Sequence, residues 1–180
     1  VLYLDYAGNM GALTTGFPNR LWRAIGATQT DMALCSRSGK IGLKLHYGDA
    51  YGLFPSDLLL NDLIVFWGFN PTASAPHIWR LALDARKSRG AKIVVVDPRY
   101  SGSAKQADLW IAPRPGTDVA LAYAVMNQLI ADNLVDHEFI GAHTTGFDRL
   151  KPEIEKWSPD TAAKVTRLSV HDIQTLAGLY

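Results

Sequence analysis

At 180 residues with 48% hydrophobic side chains, the chain carries enough apolar mass for one domain with a full core. Lys plus Arg (18) balance Asp plus Glu (17), which excludes the basic face that nucleic acid or an anionic membrane surface requires. Its one cysteine, Cys35, excludes an internal disulfide framework, and no apolar run approaches the roughly 18–20 residues of a membrane span.

The opening Val1-Leu2-Tyr3-Leu4 lacks a methionine, a basic lead and a small-residue cleavage site, so the sequence reads as an internal piece of a longer protein whose compartment stays open. A strand is expected over 2–5 and a glycine turn over 8–11. Pro18 suits a first helical turn, and Leu21, Trp22 and Ile25 share the apolar face of a helix reaching about residue 25. Residues 26–34 read as loop. Cys35 stands directly before Ser36-Arg37-Ser38-Gly39, and the spacing of Ile41, Leu45 and Tyr47 predicts a second helix ending at Gly48. Cys35 then sits near a helix amino terminus.

From Asp62 the pattern becomes strand, helix, strand. Leu63-Ile64-Val65-Phe66-Trp67 is a continuous apolar run, as a strand covered on both faces should be. Residues 76–89 predict a helix with Ile78, Leu81, Ala82 and Ala85 on its apolar face and Gly90 as its stop, and residues 92–96 form a second buried strand. A short third strand over 109–111 precedes Pro115-Gly116-Thr117-Asp118, where Thr117 or Asp118 can cap a long apolar helix from Val119 to about Ala131. Short helices fill the remainder. The expected fold is α/β: a Rossmann-like open, mostly parallel sheet with helices on both faces, plus a small helical C-terminal extension. The α/β cofactor domain is expected over 1–134 and the extension over 135–180.

In an open parallel sheet, ligands bind in the crevice outside the carboxyl ends of the strands. Three loops leave those ends: Gly68-Phe69-Asn70-Pro71-Thr72-Ala73-Ser74, Asp97-Pro98-Arg99-Tyr100-Ser101, and Pro115-Gly116-Thr117-Asp118. Gly68 lets a backbone approach a ligand closely, and the helix starting near Pro76 offers unpaired N–H groups to a phosphate. Asp97 stands where a carboxylate can accept from a ribose, with Arg99 beside it for a phosphate or a base. Taken singly, Gly68, Asn70 and Asp97 need no ligand, since all three residue types make tight turns. Together they describe a nucleotide pocket. Neither G-x-G-x-x-G nor G-x-x-x-x-G-K-[ST] occurs, so an ordinary NAD site and a P-loop are not indicated. His46, His77, His137, His143 and His171 lack paired metal-ligand spacing and read as surface or packing residues, His77 alone lying near the pocket.

The segments Asp62 to Pro71, Gly90 to Arg99 and Ala107 to Leu121 resemble, in order and spacing of all three loops, the molybdopterin oxidoreductases of the dimethyl sulfoxide reductase type. The resemblance covers essentially the whole chain. It implies that Trp67, Gly68, Asn70, Pro71 and Ser74 border the phosphates of a molybdopterin guanine dinucleotide. It likewise implies that Asp97, Pro98, Arg99, Ser101, Gly116, Thr117 and Asp118 surround the guanosine. Cys35 falls where that family places the protein ligand to molybdenum or tungsten, the metal being otherwise held by the dithiolenes of two such cofactors. A thiolate is a soft ligand, and a helix starting at Ser36 favours its charge, whereas a lone cysteine elsewhere is more often a small buried apolar group. Arg37, Ser38 and Lys40 suit either pterin contacts or a solvated helix start.

The resemblance further implies an iron–sulfur cluster in parts of the parent outside this segment, an electron-transfer subunit and other domains of the parent as partners, and two-electron or oxygen- or sulfur-atom transfer. Formate dehydrogenases of this family place a histidine directly after the metal-binding residue. Here that position is Ser36, which disfavours formate. Two alternatives stand beside this reading: a non-catalytic domain of the same fold, as in respiratory complex I, and an NAD-type dinucleotide domain.

Overall fold

A computed structural model describes residues 1–4, 11–30 and 36–180, the Thr15 side chain excepted, and the chain divides into two units, Val1–Leu53 and Phe54–Tyr180. In the first unit, β1 (Leu2–Tyr3) and β2 (Thr28–Gln29) pair in parallel, with Leu2 opposite Thr28 and Tyr3 opposite Gln29. A parallel pair needs a crossover. A π-helical turn over Ala12–Gly16 and α1 (Pro18–Ala24) supply it, and Tyr3 stacks on Trp22 of α1 with ring centroids 4.8 Å apart. β2 corrects the expectation of loop over 26–34: two polar residues are too short a run to show a strand pattern, and only the pairing reveals it. α2 (Ser36–Tyr47) begins at the expected residue. Cys35 lies outside the described residues.

The second unit is built on three strands, β3 (Leu63–Trp67), β4 (Lys92–Val96) and β5 (Leu109–Ile111), all parallel and in the order β3-β4-β5. The five residues of β3 pair one to one with those of β4, Leu63 opposite Lys92 and Trp67 opposite Val96, and Val94 to Val96 pair with β5. Side chains alternate across a strand, so this apolar run feeds two cores. Ile64, Phe66, Ile93 and Val95 pack with Trp79, Ala82 and Ala85 of α4 (Pro76–Arg89) and with Leu58 of a 3-10 turn over Pro55–Leu60. On the other face, Val94, Val96 and Ile111 pack against Leu121, Ala124 and Val125 of α5 (Asp118–Ala131). The sheet is therefore covered on both faces, as the apolar runs required.

Beyond α5 come α6 (His137–His143), α7 (Phe147–Glu155), α8 (Pro159–Thr166) and α9 (Val170–Ala177). Ala162 of α8 and Ile173, Leu176 and Ala177 of α9 belong to the same core as Val94 and Leu121. Local signals set several ends. Gly90 closes α4 at φ +76°, and Ser169 with Asp172 forms a reciprocal capping box at the start of α9. Thr117 occupies the N-cap of α5 but does not cap it with its side chain: its hydroxyl turns back to the Arg114 carbonyl at 2.6 Å. No helix among the described residues is long and apolar enough to cross a membrane.

Ile93 is fully buried at the centre of the sheet. Ile93→Ala is expected to destabilise the protein by about 2–5 kcal/mol, through lost apolar transfer and a residual cavity. A denaturant titration of the full-length protein reads it as a lowered midpoint.

Candidate functional site

The carboxyl ends of β3, β4 and β5 are tied across by backbone bonds before any side chain takes part: the Gly68 N–H donates to the Val96 carbonyl at 2.8 Å, and the Asp97 N–H to that of Ile111 at 2.9 Å. The parallel register thus places the three loops side by side. Gly68 adopts φ +61° and Gly116 φ +82°, left-handed conformations that favour glycine, and a Cβ at either position would meet nothing within 4 Å. Both turns therefore present bare backbone to open space.

After Gly68 the chain folds straight into a helical turn, α3 (Pro71–Ser74), where a loop was expected. Pro71 starts it, and the Asn70 carbonyl accepts from the Ala73 and Ser74 N–H groups and the Ser74 hydroxyl. The Asn70 side chain reaches the second loop. Its Oδ1 lies 2.7 Å from Ser103 Oγ and 2.8 Å from Thr72 Oγ1, and accepts from the Ser103 N–H at 3.4 Å, while the Thr72 N–H donates to Ser103 Oγ at 3.2 Å. Ser103 is fully buried. A Cβ on Gly102 would come within 2.8 Å of Thr72 Oγ1, so the two loops close on each other only with glycine there.

In the second loop, Asp97 Oδ1 accepts from the Arg99 N–H at 2.8 Å, an Asx turn that aims the carboxylate along the loop. The Trp110 indole donates to the Asp97 carbonyl at 2.8 Å and packs 4.6 Å from the Tyr100 ring. Ser101 is buried, its hydroxyl accepting from the Ala104 N–H at 3.2 Å, whereas Pro98 and Arg99 are exposed. The first and third loops are joined by one bond across 51 residues of sequence: Trp67 Nε1 donates to Asp118 Oδ1 at 2.7 Å. Asp118 occupies the first turn of α5, where the helix dipole favours a carboxylate.

The structure thus brings Trp67, Gly68, Asn70, Pro71, Ser74, Asp97, Pro98, Arg99, Ser101, Gly116, Thr117 and Asp118 to one edge of the sheet. Sequence reasoning placed Thr72 in the first loop without a role and missed Ser103; together they bind that edge. The available signal was a serine inside a run of small residues, 101–104, too short for a helix of its own. His77 is exposed near the start of α4. Among the described residues no three His, Cys, Asp or Glu side chains cluster as a metal site.

Comparison with known proteins gives this edge a family. A probable oxidoreductase of Bacillus subtilis, YoaE, is 35% identical over the whole chain, which spans 26% of that relative. The alpha subunit of an F420-dependent formate dehydrogenase of Methanococcus maripaludis is 36% identical over 81% of the chain and 22% of its own length. Acetylene hydratase from Pelobacter acetylenicus has a similar fold, with a TM-score of 0.69 and 24% identity over 97% of the chain and 24% of that enzyme. The chain therefore spans about a quarter of the length of each of these three proteins. The molybdopterin oxidoreductase family model matches residues 8–162, from ahead of α1 into α8, and the chain belongs to that family.

Proposed function

We propose that this chain is the part of a molybdenum or tungsten oxidoreductase that holds the nucleotide end of molybdopterin guanine dinucleotide at the carboxyl edge of β3, β4 and β5, and that Cys35 is the protein ligand to the metal. The observation that carries the reading is the cross-tying of the three loops, Trp67 to Asp118 and Asn70 to Ser103, which makes one rigid rim from segments far apart in sequence. Such preorganisation lowers the entropy cost of holding a long, flexible cofactor.

The residues fit a dinucleotide. Gly68 and Gly116 leave room for close approach to phosphate or sugar, the exposed Arg99 and Arg114 side chains offer cations, and Asp97 Oδ2 is open to ribose or base donors. Trp67 holds Asp118 in place, and Pro71 and Ser74 shape the turn that carries Asn70. The cofactor, once bound, supplies two-electron redox or oxygen- or sulfur-atom transfer at the metal. The part of this chain is to bind and orient it. An electron-transfer subunit, an iron–sulfur cluster and the substrate funnel belong to the rest of the larger protein. Ser36 following Cys35, in place of a histidine, argues against formate as substrate.

Elemental analysis of the full-length protein, paired with guanine nucleotide released by acid, tests the reading. Molybdenum or tungsten together with guanine nucleotide is the expected result. Absence of both would favour a non-catalytic domain of the same fold.

A further inference from the structure

We infer that Ser103 is a positioning residue that turns the Asn70 side chain so that its amide N–H₂ faces the ligand as a donor; this rests on the cofactor reading above. The backbone N–H of Ser103 can only donate, so the Asn70 atom facing it must be the oxygen. Hydrogen bookkeeping agrees. Ser103 Oγ accepts from the Thr72 N–H, and its one proton lies between Asn70 Oδ1 at 2.7 Å and Thr72 Oγ1 at 3.1 Å, the shorter contact taking it, while the Thr72 hydroxyl gives its own proton to Asn70 Oδ1 at 2.8 Å. Three donors therefore converge on Oδ1.

The consequence falls on the other end of the amide. Asn70 Nδ2 has no hydrogen-bond partner among the described residues, and it is not a buried unpaired atom, so it is open to solvent at the end of β3. An Asn that could flip would present donor or acceptor equally. With its oxygen held, it presents two N–H donors, which suit the oxygens of a pyrophosphate and not a donor group of sugar or base. Ser103, fully buried and on a different loop, acts through the residues it bonds, Asn70 foremost at 2.7 Å and Thr72 at 3.1–3.2 Å.

The test uses the full-length protein and reads guanine nucleotide and metal retained per protein after extended dialysis, with the melting temperature of the cofactor-free form as a check on folding. Asn70→Ala and Ser103→Ala should each lower retention about tenfold. The double variant should lose no more than Asn70→Ala alone, because the serine acts through the asparagine. Ser103→Thr, which keeps the hydroxyl, should restore most of the loss. Asn70→Asp leaves the acceptor side intact and places an oxygen where the donor was, and it should lose at least as much as Asn70→Ala. Wild-type retention in Asn70→Asp, or additive losses in the double variant, would overturn the inference. Should Asp97→Ala and Asn70→Ala both retain cofactor like the wild type, the cofactor reading itself fails. Loss in Asp97→Ala and Asn70→Ala with full retention in Ser103→Ala sinks only the role of Ser103.

Discussion

Cys35→Ser in the full-length protein is expected to leave a folded, metal-loaded enzyme whose turnover falls by about two orders of magnitude or more, beyond the 10- to 100-fold usual for losing an outer partner of a metal ligand. Cys35 is the sole thiol of the chain, and it directly precedes α2, a 12-residue helix whose amino terminus stabilises a negative charge. A hydroxyl can replace a thiolate as a ligand but donates far less electron density to a soft metal, so the centre stays occupied while its potential shifts. X-ray absorption should show one metal–sulfur contact exchanged for metal–oxygen. Cys35→Ala should lose the contact altogether. An unchanged sulfur count in Cys35→Ser would make the residue a bystander.

The second large effect is expected on cofactor retention. Asp97→Ala should weaken binding of the guanine dinucleotide by about 1.5–3 kcal/mol, roughly 10- to 150-fold, because the loop loses a charged acceptor. Part of the effect is conformational. Asp97 Oδ1 holds the Arg99 N–H, so the variant also frees the turn that presents Arg99. Asp97→Asn keeps that turn and removes the charge, and the difference between the two variants separates turn from charge. Retained guanine nucleotide after dialysis is the measurement, and wild-type content in Asp97→Ala would count against the assignment.

The sheet was legible because its strands are uninterrupted apolar runs. Leu63–Trp67, Lys92–Val96 and Leu109–Ile111 fall where hydrophobicity alone puts them, and Gly90 marks the end of α4 as expected. What escaped was short or long-range. β2 exists only through its pairing with β1, and α3 depends on the Asn70 carbonyl collecting three donors within a single turn. The candidate site divides in the same way. Gly68, Asn70, Asp97 and Gly116 stand out at strand ends, but the side-chain bonds joining their loops span 31 to 51 residues, and no periodicity encodes a contact between loops. Thr117 shows the limit of local rules. It is a favourable N-cap residue, yet its hydroxyl serves the Arg114 carbonyl of the preceding turn.

The two-faced burial of the sheet has a consequence for alignment of the strands. When one face is wet, a slip of one residue exposes apolar side chains and is rejected at once. Here both faces of β4 are lined by valine and isoleucine, so a slipped strand would bury nearly the same groups and hydrophobicity hardly discriminates. The discrimination must come from groups that recognise one residue only. Asp108 is one: its Oδ2 accepts from the Ile93 N–H at 2.8 Å and from Arg86 of α4 at 2.9 Å, fixing the amino end of β4. At the other end, the Asn70–Ser103 and Trp67–Asp118 side-chain bonds hold the loops that leave the strands. The rim proposed to hold the cofactor thus doubles as a phase marker for the sheet beneath it, and insertions or deletions within the strands should be tolerated far less than exchanges among their apolar side chains.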